Sequence, residues 1–165
     1  MYSDLTSNPR IRPVEAAHIG DLIRIAEETN LSPWTAQNYL DEIKNPSAIM
    51  LRLVGEDNTT MGFVVGRTVI GGDIETQLDA EIYNIAIDIT QQGNGYGQIL
   101  LTGFVKICSA RQVQKIWLEV RESNRKAISF YEKNGFTTVQ TRNNFYSDPR
   151  EAALLMRLVL APAQE

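Results

Sequence analysis

The chain has 165 residues, 43% hydrophobic and 22% charged, with a formal net charge of −4, which suits one globular domain with a sizeable core. Acids and bases are mixed along it, which argues against a direct nucleic-acid binder and favours a basic protein or peptide as partner. No apolar run approaches the roughly 20 residues of a membrane helix, Met1-Tyr2-Ser3-Asp4 does not open a signal peptide, and the single cysteine allows no internal disulfide, so a cytoplasmic protein away from the membrane is expected.

In chain order, Ile11 to Pro13 forms a short strand, and Val14 to Glu28 a helix with Ile19, Leu22, Ile23 and Ala26 as its buried stripe. His18 lies near the edge of that stripe; with no second histidine and no cysteine nearby, no metal site is expected. Ser32 and Pro33 have the types of an N-cap and a first helical residue, so a second helix is expected from there to Pro46. Trp34 reads as core more readily than as a groove lining.

Ala48–Val54, Thr59–Ile70 and 81–89 read as strands with short links, hence an antiparallel meander, with a loop beginning at Gly71-Gly72-Asp73. A helix follows over about 95–111, then strand Lys115–Val120, parallel to 81–89 because a helix joins the two. Cys108 falls on the buried stripe of that helix and reads as a small hydrophobe. Asn124 caps a short helix, Arg125 to Asn134, which Gly135 closes. Phe136 to Arg142 and Glu151 to Val159 are the last strands, and Asn143 to Arg150 reads as a polar loop.

The most informative stretch is Gln92-Gly93-Asn94-Gly95-Tyr96-Gly97-Gln98, set between a strand and a helix. A glycine-rich turn feeding a helix start presents unpaired N–H groups and the positive end of the helix dipole, which together suit a phosphate. The Lys-Ser/Thr of a P-loop is absent after Gly97. A dinucleotide fingerprint would begin Gly93-Asn94-Gly95 and use Glu119 as its acid, but its third glycine falls on Gln98. The upstream meander also fits that fold badly.

Gln92 to Gly97 matches Gln/Arg-x-x-Gly-x-Gly/Ala, and Leu118-Glu119-Val120-Arg121-Glu122-Ser123-Asn124 with Tyr131-Glu132-Lys133-Asn134-Gly135-Phe136 forms a second block. Together they resemble the GNAT family of N-acetyltransferases. The resemblance is strongest to members acting on the N-terminal alanine of a small-subunit ribosomal protein, and it spans about residues 11 to 159. It implies a single-domain α/β fold over 11–160, flanked by flexible tails at 1–10 and 161–165. The sheet is expected to be mixed and mostly antiparallel, with a parallel pair splayed at the acyl-CoA site and helices on both faces.

The resemblance also implies acetyl-CoA as cosubstrate, direct transfer to an amine, and no metal. The loop Gln92, Gly93, Asn94, Gly95, Tyr96, Gly97 and Gln98 would hold the pyrophosphate. Ile85, Ala86 and Ile87 would offer backbone groups to the pantetheine arm, and Asn124 and Tyr131 would also touch the cofactor. Glu119, through a water, is the candidate base, and Tyr131 the candidate acid for the leaving thiolate. Each has a plainer reading: Glu119 as a strand carboxylate paired with a base such as Arg121, and Tyr131 as a packed aromatic.

Two departures stand out. Gln98 replaces a basic residue common in relatives, and Phe145 and Ser147 replace Tyr and Pro in a segment expected to touch substrate. The acceptor implied is a protein N-terminus, that of a basic ribosomal protein. Alternatives are a lysine side chain, a small amine, or a non-catalytic acyl-CoA-binding module that would need neither Glu119 nor Tyr131.

Overall fold

The computed structural model describes residues 8–71 and 77–161; Gly72-Asp73 of the expected loop and most of both expected tails lie outside them. The fold is α/β, with strands hydrogen-bonded in the order β1-β2-β3-β4-β5-β7-β6. The described residues pack as two compact units, one up to Gly66 with Asn84–Ile107, the other Arg67–Tyr83 with the chain from Cys108 onward.

In the first unit, β1 (Arg10–Pro13) pairs antiparallel with β2 (Ala48–Val54). The helix expected from Val14 starts later. A 3-10 turn covers Ala16–His18, and α1 proper is Ile19–Glu28. The Glu15 N–H donates to His18 Nδ1 at 3.0 Å, so the histidine closes the turn that precedes the helix.

Helix α2 is Ala36–Ile43, and its cap is Thr35, not Ser32. Thr35 Oγ1 accepts from the Asn38 N–H at 3.1 Å while Asn38 Oδ1 accepts from the Thr35 N–H at 2.8 Å. That reciprocal box satisfies two otherwise orphaned donors, which outweighs the Ser-Pro signal three residues earlier. Leu22, Ile25, Tyr39, Phe63 and Val65 are fully buried in one cluster. Truncating such a residue to alanine costs about 2–5 kcal/mol.

β3 (Thr60–Ile70) and β4 (Leu78–Ile87) are neighbours in the sheet. At Gly62 an added Cβ would stand 2.8 Å from the Ala86 carbonyl oxygen, so only glycine lets the two strands run this close. β4 begins three residues earlier than expected and stops two residues sooner, because Asp88 turns the chain. Its carboxylate accepts from the Thr90 N–H at 3.0 Å and caps a 3-10 turn, Ile89–Gln91. Helix α3 is Tyr96–Ala110.

In the second unit, β5 (Lys115–Arg121) pairs parallel with β4 at Ala80↔Ile116, Glu81↔Trp117 and Ile82↔Leu118. Both strands run on past the last pair, β4 to Ile87 and β5 to Arg121. Ile116, Leu118 and Val120 are buried, so period-two alternation turns Trp117, Glu119 and Arg121 to the opposite face. Helix α4 (Arg125–Lys133) starts at Asn124, whose side chain accepts from the Ala127 N–H at 3.2 Å, and is followed by Gly135 at φ +89°.

β6 (Thr137–Ser147) and β7 (Arg150–Val159) pair antiparallel. The expected polar loop at 143–150 is therefore mostly strand, with only Asp148 and Pro149 at the turn. Two register shifts, at Thr138/Gln140 and Arg142/Tyr146, absorb the residues that read as loop, and Asn144 takes φ +56° in the second.

Candidate active site

The first unit carries the glycine loop. Gly93 and Gly95 adopt φ +83° and +77°, a region that favours glycine. A Cβ built at either would meet nothing within 4 Å, so the space beside both residues is open. The first N–H groups of α3 have no partner inside the helix.

Side chains fasten the loop to its own base. Gln92 Nε2 donates to the Ile87 carbonyl at 3.1 Å, and Asn94 Nδ2 to the Gln91 carbonyl at 3.0 Å. Gln98 is exposed and donates to Thr102 Oγ1 at 3.3 Å. Ala86 is buried, while Ile85 and Ile87 are half-buried. Two left-handed glycines, open space and the start of a helix fit a pyrophosphate, and residue 98 offers a neutral amide beside them.

The second unit carries Glu119, Asn124 and Tyr131. Glu119 does pair with a basic side chain, but not with Arg121. Arg142 of β6 reaches across β7 and places Nη1 2.8 Å from Glu119 Oε1. Arg121 goes to Glu151 at 3.3 Å and lies over the Tyr146 ring, 4.0 Å from its centroid. Glu151 also accepts from the Ser123 side chain and N–H, and these bonds with the Arg121 charge hold its carboxyl below the usual range.

Tyr131 is buried, with ring centroids 5.4 Å from Phe130 and 5.5 Å from Phe136. Burial pushes its phenol well above the ordinary value, so it stays protonated and able to donate. The packed and the chemical readings of this residue are thus compatible. Cys108 is buried and its thiol is pushed up to about 12 by that burial, which makes it inert as a nucleophile. Among the described residues no cluster of three or more His, Cys, Asp or Glu could hold a metal ion, and no helix is long and apolar enough to cross a membrane.

Arg142 and Asp88 went unrecognised in the sequence. Asp88 carries a local signal, an Asp-x-Thr turn ahead of the glycines. Arg142 carries none, since its contact depends on strand order.

Residues 19–136 match the acetyltransferase (GNAT) family, a class of acyltransferase. The chain belongs to that family. It is an acetyl-CoA-dependent N-acetyltransferase. It is similar to the ribosomal protein bS18-alanine N-acetyltransferase of Haemophilus influenzae, at 36% identity over 91% of this chain and 98% of that protein. The enzyme of the same name from Escherichia coli is 29% identical over 92% of this chain and 97% of its own length. The crystal structure of the ribosomal-protein-S18-alanine N-acetyltransferase from Escherichia coli superposes with a TM-score of 0.81, at 28% identity, covering 95% of this chain and 97% of the other.

Proposed function

We propose that the protein is a cytoplasmic enzyme that acetylates the α-amine of a protein N-terminus, namely the N-terminal alanine of a basic small-subunit ribosomal protein. The observation that carries the acceptor is the 36% identity, over nearly the whole of both chains, to an enzyme named for that reaction.

Gln92 to Gln98 bind the pyrophosphate of acetyl-CoA through backbone N–H groups, and Ile85 to Ile87 and Asn124 hold the pantetheine arm. The acetyl group arrives as a thioester. An α-amine has a reference pKa of about 7.7–8.0, so a fraction is already neutral near pH 7. Glu119, through a water, takes the proton that the amine sheds as its C–N bond forms. As the C–S bond breaks, the electron pair stays on sulfur and the Tyr131 hydroxyl donates a hydrogen bond to it. A thiolate has a reference pKa of about 8.5, below that of the buried phenol. Tyr131 therefore stabilises the thiolate chiefly by hydrogen bonding, the kind of contact whose loss costs about 10²–10³ in rate.

A peptide panel varying the first residue and the charge of the next few tests the acceptor. Highest kcat/KM is expected for alanine first with basic residues following. Equal rates across the panel would overturn the ribosomal acceptor.

A further inference from the structure

We propose that Arg142 is a positioning residue that keeps free cations from the place beside Glu119, so that the acceptor amine is taken up there in its neutral, nucleophilic form. This rests on the reading of Glu119 as the base.

The face that carries Glu119 is ordered in pairs. Arg142 meets Glu119 at 2.8 Å. Arg121 is committed to Glu151 and to the Tyr146 ring. The Tyr146 phenol is pushed up by its burial first, then by Glu119 and Glu151 against Arg121, and so stays neutral. From β4, Glu81 shares this face through its register with Trp117, and its carboxylate accepts from the Tyr83 hydroxyl at 2.9 Å. Arg67 lies over the Tyr83 ring at 5.4 Å, and Arg157 of β7 over Trp117 at 5.8 Å. Among the described residues, the cation in contact with Glu119 is Arg142.

A bare carboxylate would hold the protonated acceptor as an ion pair, with the nitrogen lone pair occupied and attack blocked. With the guanidinium in place, an incoming ammonium meets a like charge, while a neutral amine does not. The α-amine has a neutral form to offer near pH 7. A lysine ε-ammonium, with a reference pKa of about 10.4, has almost none and is refused as a competitor.

The test is the pH dependence of kcat and KM for an alanine-first peptide, with saturating acetyl-CoA, in Arg142→Gln, Arg142→Lys and Glu119→Gln. Without the guanidinium, the bound amine keeps its proton to higher pH, so the acid limb of kcat moves up by about one unit. Below that limb kcat and peptide KM fall together about tenfold, leaving kcat/KM nearly unchanged. An Nα-acetylated lysine peptide becomes a stronger competitive inhibitor, and Arg142→Lys restores wild-type behaviour. An unmoved limb in Arg142→Gln, or a fall in kcat/KM at every pH alongside a lower Tm, overturns the proposal. If Glu119→Gln keeps the wild-type rate and profile, the base assignment falls and this inference with it. If Glu119→Gln is impaired and Arg142→Gln is not, only the role of Arg142 falls.

Discussion

Arg24 in α1 places Nη1 3.0 Å from Asp88 Oδ2, tying the first helix to the turn that enters the glycine loop. Asp88 is buried, and burial by itself would raise its carboxyl. The Thr90 N–H and hydroxyl and the Arg24 guanidinium outweigh that and hold it below the usual range. A depressed folded-state value means stability that is present above the unfolded value near 3.9 and lost as pH falls through the folded one. Asp88→Asn is expected to cost about 1–3 kcal/mol at pH 7, with the gap to wild type closing below about pH 4. Urea unfolding at pH 7 and pH 3 checks this, and an equal gap at both would refute it.

Gly95 tests the loop. Acetyl-CoA and CoA should raise Tm by binding the native state, and NAD should not. Gly95→Val places a branched side chain at φ +77° in the open space beside the loop. It should abolish the CoA shift while lowering the unliganded Tm by only a few degrees. A retained shift would remove the loop from the cofactor site.

Tyr131→Phe separates chemistry from packing. The ring contacts with Phe130 and Phe136 survive, so Tm and acetyl-CoA affinity should change little. Loss of the hydroxyl should lower kcat by on the order of 10²–10³. If the hydroxyl were only structural, stability would drop by about 0.5–1.5 kcal/mol and kcat per folded molecule would hold. Glu119→Gln should lose less as pH rises, because free amine then replaces the base.

Tyr39 makes the opposite prediction about a hydroxyl. It is fully buried, its Oη has no hydrogen-bond partner, and burial pushes its phenol up to about 12. Tyr39→Phe removes an unsatisfied buried group at unchanged ring volume, so stability should rise by about 1 kcal/mol. A loss of that size in thermal unfolding would show the hydroxyl to be paired.

Local physics was legible in the sequence where one residue type answers one backbone need. Gly93, Gly95 and Gly135 stand at positive φ, Asn124 caps α4, and burial alternates along Lys115–Arg121 as its apolar residues require. The glycine loop followed from such features, and the Glu119 and Tyr131 candidates from the resemblance to the family's motif blocks. Competition between local signals was harder. Ser32-Pro33 and Thr35 both look like helix starts, and the reciprocal bonds between Thr35 and Asn38 decide between them. Non-local pairing was least visible. The polar run Asn143–Ser147 becomes strand because β7 supplies its partners. Arg121 looked like the natural partner of Glu119 at spacing two, yet the order β5-β7-β6 delivers Arg142 from 23 residues away.

The most direct test uses a peptide beginning with a free N-terminal alanine and containing one internal lysine, incubated with the protein and acetyl-CoA. Fragment masses then locate the acetyl group. The account predicts acetyl on the alanine α-nitrogen and an unmodified lysine, with no reaction when the N-terminus is blocked. Acetyl found on the lysine ε-nitrogen alone would contradict it.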